Sequence, residues 1–188
     1  NDDLVIGCAL ALDSAGIQGT GANNQPRGII STSGIGSVAI GTNGGVPTYD
    51  HQVDLESAVA TANADIDVLG FLTTPGIRGK LRKTLEFAAA GARTIWTGGP
   101  VGDVLGYPAL TSTQVPSTLT KGTSSDCHAE IYGAWSQLLY GEWGTMEMVV
   151  DPYSRKRRGM IDVTCFHMAD CVVRHPAAFA AILDARLA

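Results

Sequence analysis

Apolar and polar positions along this chain change period several times, and each change predicts an element. Leu4 to Ala15 is apolar nearly all round, which in a helix means burial on several sides, with Gly7 as its weak point. Gly16 to Gly28 reads as loop, and Gly34 to Gly45 as a flexible connection holding a short apolar stretch, Val38 to Ile40. Asp54 is placed to cap a helix from Leu55 to Ala64 with Leu55, Ala58, Val59 and Ala62 on one face. The continuous apolar run Ile66 to Leu72 predicts a strand in the middle of a sheet. Thr74 followed by Pro75 gives a cap and a first helical residue, so a helix is predicted from Pro75 to about Leu85, burying Ile77, Leu81 and Leu85. Its other face is basic, through Arg78, Lys80, Arg82 and Lys83.

Beyond Gly91 the period shortens to that of strands. Arg93 to Trp96 and Tyr107 to Ser112 flank a Gly98-Gly99-Pro100 turn, and Ala129 to Gly133 supplies a further strand. Met146, Met148 and Val150 alternate with Thr145, Glu147 and Val149, as Ile161, Val163 and Cys165 do with Met160, Asp162 and Thr164. These are the two arms of a long hairpin. Pro176 then opens a predicted terminal helix that contains Phe179.

Composition narrows the class without selecting a function. A chain of 188 residues, 45% hydrophobic and 16% charged, can bury a core in one or two domains and is no disordered polymer. A net charge of -5 argues against a surface that binds nucleic acid all over. No apolar run reaches the roughly 18 residues that span a bilayer, so no membrane partner is predicted and a soluble protein is expected. Cys8, Cys127, Cys165 and Cys171 lack a paired spacing and lie among apolar residues, which predicts small buried thiols. The chain begins at Asn1 with Asp2 and Asp3 in an apparent first helical turn, the expectation being a fragment of a longer protein.

Enzyme-like features fail on context. Gly16, Gly19, Gly21 and Gly28 lack the strand before and the helix after that a dinucleotide fingerprint needs. Gly76 to Lys80 lacks P-loop spacing and falls inside a predicted helix. Ser125, Asp126, Cys127 and His128 hold the residue types of a hydrolase, but neighbours in sequence rarely point at one another, and a loop entering a strand is the simpler reading. Cys165 and His167 share a strand face, and Cys171 or His128 would have to complete a zinc site whose ligands show no paired spacing. No catalytic residue, cofactor or metal is assigned.

The order of the late segments is the most specific signal. Leu105, Gly106, Tyr107 and Pro108, then Val115 and Pro116, then Asp151, Pro152 and Tyr153 between two strands, then Pro176 and Phe179, resemble the C-terminal half of tailed-bacteriophage major capsid proteins. Gln25, Pro26, Arg27, Gly28 and Ile29 resemble the turn that follows the spine helix of that family. The resemblance implies the α+β fold of the Hong-Kong-ninety-seven-type capsid, shared with encapsulin compartments. It implies a peripheral domain of residues 1–23 and 141–171, elongated, with spine helix and long hairpin, and an axial domain of residues 24–140 and 172–188. The N-terminal arm and extended loop of the family are absent from these residues.

What the resemblance implies for function is self-assembly. Copies would form pentameric and hexameric capsomers by head-to-tail contacts and then an icosahedral shell around DNA. The protein would be made in the bacterial host cytoplasm and reside in the virion capsid. Scaffold and portal proteins are further partners it implies, and no cofactor follows. The basic turn of Arg155, Lys156, Arg157 and Arg158, with Tyr153 beside it, would contact neighbouring subunits, the alternatives being weak non-specific DNA contact or a solvated loop. With asparagines only at positions 1, 23, 24, 43 and 63, none in the hairpin, the covalent cross-linking of some relatives is not supported. An encapsulin-like compartment and a Cys/His hydrolase are the competing functions.

Overall fold

In a computed structural model that describes residues 2–89 and 91–188, the chain forms three α-helices and two β-sheets. The helices are α1 (Asp2–Gln18), α2 (Tyr49–Thr61) and α3 (Pro75–Leu81). The larger sheet has eight strands: β1 (Gly36–Ser37), β2 (Leu69–Thr73), β3 (Thr97–Gly98), β4 (Gly102–Val104), β5 (Tyr107–Thr111), β6 (Leu119–Lys121), β7 (Ser124–Ala134) and β10 (Phe179–Ala185). Their spatial order is β1-β10-β7-β2-β5-β4-β3, with β6 on the far part of β7. Strands β2 and β5 are parallel, as are β1 and β10, and the remaining pairs are antiparallel. The second sheet is the hairpin of β8 (Leu138–Asp151) and β9 (Asp162–Val173), paired only with each other.

The core lies where α2 and α3 cover the large sheet. Leu55 and Val59 of α2 and Ile77 and Leu81 of α3 are fully buried with Phe71, Ile131, Tyr132, Phe179 and Ile182. The predicted central strand is β2, held between β5 and β7, although Ile66 and Val68 before it are exposed. The cap before α3 forms as its residues dictate, the Thr74 hydroxyl accepting from the Ile77 amide at 3.3 Å.

Several expectations need correction. The terminal helix is absent: Pro176 opens only a 3₁₀ turn, Pro176–Ala178, and Phe179 begins strand β10. β10 lies between β1 and β7 with nearly every side chain buried, and a run apolar in both phases suits such a strand. Helix α2 starts earlier than Asp54, at a Thr48–His51 capping box in which the Thr48 amide donates to His51 Nδ1 at 3.1 Å, the Thr48 hydroxyl meeting the same nitrogen at 2.8 Å. Helix α3 stops at Leu81, which leaves Leu85 exposed in an isolated bridge to Thr94. Arg93 to Trp96 is irregular chain that still buries Ile95 and Trp96, the strand itself being Thr97–Gly98.

Two of the motif segments have clear local causes. Leu105 and Gly106 have φ of 56° and 86°, the positive values that a primed two-residue hairpin turn needs between Val104 and Tyr107. The segment after α1 folds back over that helix's end, the Gly28, Ile29 and Ile30 amides donating to the carbonyls of Gly19, Gly16 and Ile17. A Cβ at Gly28 would stand 2.6 Å from backbone atoms of Ile17, Gln18 and Gly19, so only glycine permits the approach, and it delivers Ile29 fully buried.

Candidate assembly surface

A strand pair on its own is marginal in water, because it has no third layer to bury its second face. The β8–β9 hairpin solves half of this problem. Alternate residues of β9, Cys165, His167, Ala169, Cys171 and Val173, are covered, and α1 packs on this strand. The other face is left open. There Met168 is 68% exposed, Trp143 59% and Phe166 55%, with Trp143 directly opposite Met168 and Leu139 opposite Val172. Single exposed apolar residues are ordinary, but Phe166, Met168 and Trp143 lie together, with Val172 and Leu139 beyond the Asp170–Gly141 pair, and grouped exposure of this kind marks an interaction surface.

Helix α1 adds to this surface. Only Ala15 and Ile17 of its apolar residues are buried, while Leu4, Val5, Ile6 and Leu10 are exposed. The burial on several sides that its sequence predicts is thus not supplied within one chain.

At the hairpin tip the Asp151 carboxylate accepts from the amides of Tyr153 at 2.7 Å and Ser154 at 3.2 Å, and from the Ser154 hydroxyl. These bonds, the hydroxyl's foremost, hold its pKa below the usual carboxylate range. A 3₁₀ turn, Lys156–Arg158, follows and ends on Gly159 in the left-handed region at φ 63°. The turn brings all the predicted contact residues, Tyr153, Arg155, Lys156, Arg157 and Arg158, to the exposed tip. They do not all remain free: Arg155 Nε lies 3.0 Å from Asp162 Oδ2, an ion pair inside the hairpin. Among the described residues no acidic group pairs with Lys156, Arg157 or Arg158.

Elsewhere the candidate chemistry does not assemble. Cys127 and His128 are neighbours on β7 and project to opposite sides of the strand. Burial pushes the Cys127 thiol up and the His128 imidazole down, and His128 meets the Thr74 hydroxyl at 2.9 Å. A buried, raised thiol is the reverse of an activated nucleophile. Asp126 is engaged by Arg186 at 2.9 and 3.1 Å. Cys165, His167 and Cys171 share the inner face of β9, but no group of three or more possible metal ligands forms among the described residues. Of the four cysteines Cys127 and Cys171 are buried, whereas Cys8 and Cys165 are only half-buried, a correction to the expectation for that pair.

The open hairpin face was missed by sequence reasoning, which looked for function in charge. Its signal was present: β8 and β9 carry apolar residues in both phases of the alternation, more than a strand with one solvated face requires.

A mixed central sheet with two short helices, and a helix laid on a long separate hairpin, define the Hong-Kong-ninety-seven-type fold. The match to known proteins agrees: the model of the phage capsid family matches residues 1–183, and the chain belongs to that family. It is 30% identical over 178 residues to a major capsid protein of Halomonas phage phiHAP-1, covering 95% of this chain and 27% of that protein. The chain thus spans about a quarter of the length of that relative.

Among solved structures, the capsid of an empty GTA particle superposes with a TM-score of 0.72 at 21% identity, covering 98% of this chain and 65% of that one. A structure from Gordonia phage Cozz gives 0.69 at 22%, covering 97% and 61%. The holo-SrpI encapsulin complex from Synechococcus elongatus gives 0.64 at 16%, covering 98% and 64%. These likenesses establish the fold, which phage shells and an encapsulin share. The family is a structural one and not enzymatic in general.

Proposed function

We propose that this chain is the shell-forming part of a phage major capsid subunit, which associates with further copies into five- and six-membered capsomers and a closed shell around DNA. The observation that carries the reading is the β8–β9 hairpin, 14 and 12 residues long, with an apolar outer face that its own chain leaves uncovered. A second copy is the occupant that fits, since a shell repeats one interface and a head-to-tail contact closes into a ring when its rotation closes. In this reading residues 1–23 and 141–171 act as the peripheral domain and residues 24–140 and 172–188 as the axial domain. Lys156, Arg157 and Arg158 reach towards acidic groups of a neighbour, where clustered charge fixes orientation more than affinity. Synthesis in the host cytoplasm, residence in the virion, and contacts with scaffold, portal or DNA belong to the same proposal.

The phage family match supports a capsid over an encapsulin compartment, and copurification of a cargo enzyme would reverse that preference. The interface is tested by Trp143→Glu with Met168→Lys, a directly opposed pair whose opposite charges do not repel each other within the hairpin. The isolated subunit should keep its far-ultraviolet circular dichroism, because both side chains are exposed, while particle yield by sedimentation should collapse. Normal yield would remove the outer face from the assembly interface.

A further inference from the structure

Cys8 and Cys165 are 157 positions apart in sequence, yet the Cys8 thiol donates to the Cys165 sulfur at 3.3 Å. We propose that these two residues form a reversible disulfide, a redox clamp that fixes α1 to the hairpin. Cys8 lies on the covered side of α1, in line with Leu12 and Ala15, and Cys165 on the inner face of β9. Both are half-buried, so a small oxidant can reach them. The other two thiols are excluded by position: Cys127 is buried in the large sheet, and Cys171 is directed at the Arg27 carbonyl at 3.7 Å. Closing the contact from 3.3 Å to a bond of ~2.05 Å needs only small side-chain motion.

The place of the pair gives the bond a consequence. Leu4, Val5, Ile6 and Leu10 are exposed and outside the core, so the first turns of α1 are held chiefly by the face that carries Cys8. A covalent tie there opposes local opening of the helix, whose free energy is otherwise set by those few contacts. The oxidant is a small-molecule disulfide. One protein thiolate attacks a sulfur of that disulfide and releases a small thiol; the second protein thiolate then attacks the mixed disulfide and releases the other. The two cysteines lose two protons and two electrons, and the small disulfide gains both as two thiols.

The test is equilibration of the whole chain in oxidised and reduced glutathione, followed by alkylation, digestion and mass spectrometry. The expected result is loss of two of the four free thiols, a peptide pair joining Cys8 to Cys165, and amide exchange in α1 slowed by ~10-fold or more, all reversed by dithiothreitol. Cys165→Ser should abolish the slowing, and Cys127→Ser should not. Two outcomes overturn the proposal: Cys8 and Cys165 remaining open to alkylation in the oxidising buffer, or the bond forming with α1 exchange unchanged. The measurement concerns single chains, so its failure leaves the assembly reading untouched.

Discussion

Glu130 shows how a single residue can set the pH response of this fold. It is fully buried on β7, accepts from Gln52 Nε2 at 3.2 Å, and has no partner for Oε1; Gln52 Oε1 is also unpartnered. Burial raises its pKa to about 7, only partly offset by the Gln52 bond. The folded state therefore holds a proton that the unfolded chain, near 4.5, has released. The resulting stability is fully present below about 4.5 and is lost as pH rises through about 7, amounting to a few kcal/mol by order of magnitude. Glu130→Gln keeps the shape and supplies a donor for Gln52 Oε1, so it should flatten the urea midpoint between pH 5 and 8 and raise it at pH 8. A midpoint that rises with pH in the wild type over that window would refute the assignment. Backbone space makes a second residue-scale prediction: Gly28→Ala should cost about 1–3 kcal/mol in thermal or urea unfolding, because its Cβ meets the end of α1.

At the scale of elements, β2, β5, part of β7 and the hairpin were legible because their causes are local. Thr74 and Pro75 announce α3, Gly98-Gly99-Pro100 announces the turn between β3 and β4, and alternation announces β8 and β9. The errors fall where neighbours decide. Phe179 to Leu183 is apolar in both phases and too short to separate helix from strand by period; the flanking β1 and β7 settle it. The apolar girth of α1 was legible, but the exposure of Leu4, Val5, Ile6 and Leu10 was not, since it depends on which elements pack on the helix. The basic turn was legible as a cluster, whereas the Arg155–Asp162 pair depends on hairpin register. That pair separates the roles within the cluster. Arg157→Glu with Arg158→Glu should leave the subunit's thermal midpoint nearly unchanged, as exposed turn charges contribute little, while the yield of empty particles falls. Arg155→Glu should in addition loosen the tip, by setting two acids against each other. Normal empty-shell yield from the double variant would leave DNA contact or a solvated turn.

For the whole molecule, the proposed reading is that of a subunit completed by its copies. The large sheet buries its own core, whereas the helix and hairpin expose apolar residues of the kind that mark interaction surfaces. The most direct test of this account is to express the complete reading frame that contains this chain and image the product by electron microscopy. Closed, roughly isometric particles are predicted; a discrete small oligomer under every assembly condition would contradict the account.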